Sequence, residues 1–263
     1  MIRSVISYVP GARRFAAFLR NRQIAEVQDL VRKTFASKAV RFVQVGSNDG
    51  MHNDPIYAMS SSSDLWSGIL IEPVPYLIER LKMNYNYADR FIFENVAIGR
   101  QPGKVPFYYV SDRAQHELSD LPEWHDQLGS FDKQHILKHG LAQIEPFIEV
   151  MNVEVCTLEQ VLVRNKWHSI DLLHIDAEGY DWEVLSGVDL RTLNPEMVII
   201  EHAHLSAADR ELARRKLADG GYRVREIGGD FCAIRKGLSG QARPSARLNN
   251  REMAVTPSSD QCS

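Results

Sequence analysis

Cysteine is scarce in this chain. There are three among 263 residues, Cys156, Cys232 and Cys262, and no two stand in a CxxC spacing. Scattered, odd-numbered cysteines argue against a disulfide framework and a cysteine-built zinc cluster, and they make the cytoplasm the expected compartment. Excess charge is missing too. The formal net charge is −3, so a nucleic-acid binder driven by phosphate contacts is not expected. No run reaches the ~18–20 apolar residues of a membrane span. The start, MIRSVISYVPGARRFAAFLR, lacks an unbroken apolar stretch and a cleavage site, so it does not read as a signal peptide. Its Arg13, Arg14, Phe15 and Phe18 would allow a peripheral membrane contact; the plainer reading is a helix lying on the domain. Two nucleotide signatures are also absent where the first strand ends, GxGxxG and the GxxxxGK[ST] phosphate loop.

What is present is an ordinary globular composition, 44% hydrophobic and 25% charged, and an alternation of strands with helices. Residues 12–36 carry apolar side chains at helical spacing, and VRFVQV (40–45) reads as a strand. A helix is expected around 55–62, a strand at GILIE (68–72), a helix over 75–86 with Pro75 in its first turn, and a strand at 91–98. GKVPFYYVS then looks like a strand outside the repeat. Residues 112–149, polar and bearing His116, His125, His135, His139 and Trp124, read as an insertion that covers a site. An extended stretch at 150–156, a helix capped by Thr157, and strands at 170–176 and 196–202 follow. A helix over 206–219 ends at Gly220–Gly221, before a hairpin turning at Gly228–Gly229–Asp230. The expected organisation is an N-terminal helical segment (1–36), one domain (37–236) containing the insertion, and a disordered Ser/Pro/Arg/Asn tail (237–263). The periodicity by itself indicates a doubly wound α/β fold with a mostly parallel sheet.

In such sheets ligands bind beyond the carboxyl ends of the strands. The first end is Gly46–Ser47–Asn48–Asp49–Gly50, where small residues let backbone N–H groups approach a ligand and the lack of lysine argues against a triphosphate. Glu72 closes the second strand, 26 residues after Gly46, a spacing that suits a ribose diol. Glycine turn and acid together point to an adenosine-containing cofactor, with NAD and S-adenosylmethionine both open on these residues. Asn95 either faces an adenine or serves the turn. Asp176, Glu178 and Asp181 crowd the fourth strand end, at a helix N-terminus. Glu201, His202 and His204 follow the fifth.

Taken in order, FVQVGSNDG, GILIEPVP, FENVAIG, TLEQVL, LLHIDAEGYDWEVLSGVD and VIIEHAHL resemble the FkbM family of S-adenosylmethionine-dependent methyltransferases. The resemblance covers roughly 40–235, less much of 112–149. It implies a Rossmann-like class I methyltransferase fold, a seven-stranded mostly parallel sheet with a terminal antiparallel hairpin, and O-methylation of a hydroxyl on a sugar, glycan or natural product. It implies that Gly46, Ser47, Asn48 and Gly50 hold the methionine end, Glu72 the ribose, Asn95 and Ala97 the adenine border, and that Asp176 and Glu178 stand at the methyl-transfer point. The chain departs from the wider pattern at Gln44, where many methyltransferases carry an acid; Asp49 or Asp176 would then serve the cofactor's ammonium.

A hydroxyl acceptor needs a proton acceptor or a metal. His202 or His204 is the expected base, with Asp176 orienting it or binding a divalent ion. An oxygen-rich set of Asp176, Glu178 and Glu201 would suit Mg²⁺. The competing readings are a nicotinamide oxidoreductase, which wants the missing GxGxxG, and a non-catalytic protein binding a partner through the insertion. Trp66, Trp124, Tyr108 and Tyr109 are candidates for a sugar platform, or for the core.

Overall fold

The computed structural model describes residues 12–122 and 124–237, with side chains from residue 18 onward. The tail expected to be disordered lies outside the described residues, apart from Gly237, as do the side chains of Arg13, Arg14 and Phe15; Phe18 of the same stretch is exposed. Among the described residues no helix is long and apolar enough to cross a membrane.

The chain runs α1 (Ala12–Phe35), β1 (Val40–Val45), α2 (Tyr57–Ser60), β2 (Trp66–Ile71), α3 (Pro75–Asn84), β3 (Phe91–Glu94), β4 (Ala97–Ile98), β5 (Gly103–Val110) and α4 (Arg113–Glu117). It continues through α5 (Lys133–Leu137), β6 (Ile148–Cys156), α6 (Leu158–Arg164), β7 (Leu172–Ile175), α7 (Asp181–Ser186), α8 (Leu190–Leu193), β8 (Met197–Glu201), α9 (Ala207–Asp219), β9 (Tyr222–Ile227) and β10 (Asp230–Arg235). Seven strands form one sheet in the order β3-β2-β1-β7-β8-β10-β9. Neighbours from β3 to β8 are parallel, and β10 runs antiparallel to both β8 and β9. This is the class I methyltransferase sheet that the resemblance implied, terminal hairpin included.

The central strands β1, β2, β7 and β8 are buried on both faces, which is why they read as near-continuous apolar runs. In β1 the period of two sends Val43 and Val45 to one face and Phe42 to the other. The first face packs under α6, α7 and α9 through Val161, Leu185, Ala213 and Leu217. The second packs under α1 and α3 through Val27, Val31, Phe35, Ile78 and Leu81, with Trp66 among them. Trp66 is therefore a core residue, edge-on to Phe35, and not part of a sugar platform. The helix starts follow their caps. Thr157 accepts from Gln160 N at 3.1 Å while Gln160 Oε1 accepts from Thr157 N at 3.0 Å, and Ser206 accepts from Asp209 N.

The stretch expected as one strand over 91–98 is two. β3 belongs to the large sheet, while β4 pairs parallel to β6 in a separate sheet of order β4-β6-β5. Asn95 sits at the break and donates from Nδ2 to Glu72 O and Pro73 O, both at 2.9 Å. The small sheet stands at the carboxyl ends of the large one and carries the insertion between β5 and β6.

Candidate active site

A cleft opens where β1, β2 and β7 end. Its lining includes Gln44, Gly46, Ser47, Asn48, Asp54, Glu72, Ala97, His174, Asp176 and Glu178 from the core, and Phe107, Gln127, Gly129 and Phe131 from the small sheet and insertion. The bend after β1 is built for close approach. Gly46 has φ +75, and a Cβ there would lie 1.8 Å from the Asp176 carbonyl oxygen. Asn48 is also left-handed, at φ 50. Gly46 N and Ser47 N both donate to Ile71 O, and the Ser47 hydroxyl accepts from Ile71 N, so the bend is sewn to the end of β2.

Glu72 stands buried at that seam. Its Oε2 accepts from Asn48 N at 2.8 Å and its Oε1 from Val74 N at 2.9 Å. Those bonds aim the carboxylate and leave acceptor capacity for further donors. Burial pushes its pKa up to about 7; the two backbone N–H groups oppose this, and Asp126 and Asp49 add to it. Asp54 is also raised, to about 6, by burial, against the bond it accepts from Gln44 Nε2 at 2.7 Å. Gln44 Oε1 and His174 Nδ1 are buried without a partner. Both residues line the cleft. The residues thus fit an adenosyl amino-acid cofactor. Glu72 would take the sugar hydroxyls, and the orphaned Gln44 Oε1 beside the Asp54 carboxylate would offer acceptors to the cofactor's ammonium.

Asp176 follows β7 and is held by its own N–H, which donates to Val45 O at 2.9 Å. Burial raises its pKa well above the usual range, and the charges of Glu178, Asp181, Asp230 and Asp54 add to this. Glu201 is raised by burial and then by Asp176 and Glu178. Asp181 is pushed up to about 7 by burial, although Ala177 N and Gly179 N donate to it.

Not every residue named from the sequence reaches the cleft. Gly50, at φ +72, faces Leu81 and Tyr85, so it serves the packing of α3. Asp49 accepts from Met51 N and His52 N and closes its own loop. Asn95 holds the turn after β2, while Ala97 lines the cleft. His202 points elsewhere. Its ring lies 4.2 Å from Phe231, and it lines a second cleft with Gln23 and Arg210. The set Asp176, Glu178 and Glu201 does not come together as an oxygen cage; of the three, Glu178 alone joins a cluster of possible metal donors, and its companions are His135, His139 and His204. That set is mostly imidazole, which does not suit Mg²⁺.

The insertion contributes what the sequence did not specify. Asn53 donates to Gln127 Oε1 at 3.1 Å, Gln127 donates to His52 O at 3.0 Å, and Arg80 bonds Asp126 at 2.9 Å. These contacts lay the segment against the glycine bend. No sequence signal pairs them; the one legible hint was the four-residue step from His135 to His139.

Residues 44–224 match the model of the Methyltransferase FkbM domain. The chain belongs to the FkbM methyltransferase family. It is an S-adenosylmethionine-dependent methyltransferase by family. Solved structures it is similar to include a ribosomal protein L11 methylase from Lactobacillus delbrueckii subsp. bulgaricus (9% identity, TM-score 0.38, covering 80% of this chain and 77% of that one). A precorrin-6y C5,15-methyltransferase from Geobacter metallireducens GS-15 is similar at 12% identity and TM-score 0.38, over 80% of this chain and 87% of the other. Aeropyrum pernix fibrillarin, solved with natively bound S-adenosyl-L-methionine, is similar at 10% identity and TM-score 0.37, over 75% and 66%. No curated protein matches the sequence.

The position of Glu72 makes stability depend on pH. Its folded pKa, about 7, lies above the ordinary glutamate value of 4.5. Its contribution is therefore fully present below the unfolded pKa and is lost as pH rises through about 7. Between pH 8 and pH 5.5 it stabilises the cofactor-free protein by about 2 kcal/mol. Asp54, Asp181 and Asp230 act in the same direction. His174 acts against them below the unfolded histidine value, because burial lowers its folded pKa to about 4. Chemical denaturation across this range should show wild type gaining stability on acidification, and Glu72→Gln gaining about 2 kcal/mol less. Equal pH profiles for the two proteins would contradict this.

Proposed function

We propose that this FkbM-family protein transfers a methyl group to a hydroxyl of a small-molecule, sugar or glycan acceptor. The observation that carries the reading is the shared cleft. The left-handed bend at Gly46 and Asn48 and the aimed carboxylate of Glu72 form one wall, and Asp176 and Glu178 stand at the other. When bound, S-adenosylmethionine supplies a methyl group already activated on sulfur. The work left to the chain is placement, proton acceptance and exclusion of water.

Each task is assigned to residues of the cleft. Glu72 takes the ribose hydroxyls, and the backbone of Gly46 to Asn48 together with Gln44 Oε1 takes the amino-acid end. Phe107, Phe131 and Val96 give the cleft apolar walls. Asp176, between the bend and Glu178, is assigned as the group that receives the acceptor's proton as the new C–O bond forms and the C–S bond breaks; the positive charges of the bound cofactor favour its ionised form. His204 is the histidine of its pair that reaches this end of the cleft, through Glu178.

Calorimetry separates this reading from its rivals. S-adenosylhomocysteine should bind, NAD should not, and Glu72→Ala should weaken binding at least 10-fold, because a buried hydrogen bond to a charged group contributes about 1.5–3 kcal/mol. Transfer of labelled methyl to pooled hydroxylated acceptors, absent with amine or thiol acceptors, then tests the chemistry. A chain that binds no S-adenosylhomocysteine overturns the proposal.

A further inference from the structure

Three imidazoles and a carboxylate meet at the Glu178 end of the cleft. His135 Nε2 lies 3.2 Å from Glu178 Oε2, His204 Nε2 lies 3.7 Å from the same oxygen, and His139 Nε2 lies 3.5 Å from His135 Nε2. One donor atom from each of the four residues falls within 4.8 Å of every other. Metal–nitrogen and metal–oxygen bonds of about 2.0–2.1 Å in a tetrahedron set its edges at roughly 3.4 Å, the scale of these separations. We propose that His135, His139, His204 and Glu178 bind one divalent transition-metal ion, and that this ion fastens the insertion to the rim of the sheet.

The donor chemistry favours an ion over packing. Imidazole Nε2 atoms and a carboxylate oxygen are ordinary donors to a transition metal, and here three rings converge on one carboxylate. A borderline cation such as Zn²⁺ accepts all of them, whereas Mg²⁺ prefers oxygen. The rings meet at centroid separations of 4.9, 5.2 and 5.3 Å, with His135 edge-on to both partners. His135 and His139 are four residues apart on α5 and the turn beyond it, so both face one side. Glu178 and His204 come from the loops after β7 and β8.

The backbone around Glu178 is shaped to the same end. Glu178 is left-handed at φ 46, a strained conformation for a residue with a side chain, and Gly179 follows at φ 90. A Cβ on Gly179 would come within 3.0 Å of His135 Nδ1, so glycine is what lets the ring approach. Four protein donors make a closed shell, the arrangement of a structural ion, with no position left for substrate. Two donors belong to the insertion and two to the core, so the ion joins them. The same insertion supplies Gly129 and Phe131 to the cleft wall. The metal site rests on the cluster alone; its effect on cofactor affinity rests on the reading of the cleft above.

The test uses the full-length untagged chain, stripped with chelator and titrated with Zn²⁺ by calorimetry. One ion per chain is expected, and Co²⁺ in its place should give the intense visible absorption of a tetrahedral site. Loss of even an outer-shell partner costs 10–100-fold in metal affinity, so His139→Ala and Glu178→Gln should each raise the Zn²⁺ Kd at least ~100-fold. His116→Ala, on an exposed ring of the insertion, should leave it unchanged. Hydrogen exchange across 131–141 should slow when Zn²⁺ is added, and S-adenosylhomocysteine should bind more tightly. Failure of wild type to take up Zn²⁺, Co²⁺ or Mn²⁺ while S-adenosylhomocysteine still binds overturns the metal site and spares the methyltransferase reading. Zn²⁺ uptake without S-adenosylhomocysteine binding does the reverse. Unchanged Zn²⁺ affinity in both ligand variants also overturns the site.

Discussion

Gly46→Ala is expected to unfold the protein or to lower its melting temperature by at least about 10 °C. Two costs combine. The new Cβ would sit 1.8 Å from the Asp176 carbonyl oxygen, and the residue would have to keep φ +75. The second cost is roughly 1–2 kcal/mol for an L-residue. The first cannot be relieved by a side-chain rotation, because the obstacle is backbone, and that backbone is pinned by the bond from Asp176 N to Val45 O. Retreat of the β7 end would break this bond and widen the β1–β7 seam, so about 4 kcal/mol in total is a low figure. That is a large share of the 5–15 kcal/mol that holds a domain together. Gly103→Ala is the matched control, since a Cβ there meets nothing within 4 Å. A melting curve of Gly46→Ala that superimposes on wild type would show that the bend is not as tight as described.

Asp176→Asn carries the largest expected effect on turnover. If Asp176 receives the acceptor's proton, the amide should lower kcat about 10²- to 10⁴-fold, the usual range for a positioned acid or base. Asparagine keeps the shape, and the bond from the residue's N–H to Val45 O does not involve the side chain. The S-adenosylhomocysteine Kd should therefore move much less than kcat. The same readouts at His202 should separate differently. That ring packs on Phe231 beside a different cleft, so His202→Ala should reduce stability and leave kcat of the folded enzyme close to wild type. Wild-type turnover in Asp176→Asn would remove the role assigned to it, and a collapse of kcat in His202→Ala with the fold intact would restore histidine as the base.

Much of this could be read without coordinates where the determining contacts are local. β1 declares itself as VRFVQV closed by a glycine, and Glu72 as the acid that ends the next strand. The helix starts at Thr157 and Ser206 carry their caps in sequence, because a hydroxyl reaches N–H groups only a few residues away. The stretch 91–98 misled for the opposite reason. Its apolar residues run on through the break, and what divides it is hydrogen bonding to β6, more than 50 residues further along. His202 and His204 were equivalent in sequence. The chain turns between them, with Leu205 N donating to His202 O, so one ring goes toward Phe231 and the other toward Glu178.

The amino-acid sequence by itself determined the alternation of strands and helices, the bend that needs glycine and the acid that faces it, because each depends on neighbours along the chain. It also carried enough of the family pattern for membership to be recognised. Only the tertiary structure decided which groups share a space. Gln44 came to hold Asp54, the insertion closed over the bend, and His135 and His139 met His204 and Glu178. Meetings of that kind are set by how the sheet and the insertion pack, and no local spacing encodes the distance between segments that pack together.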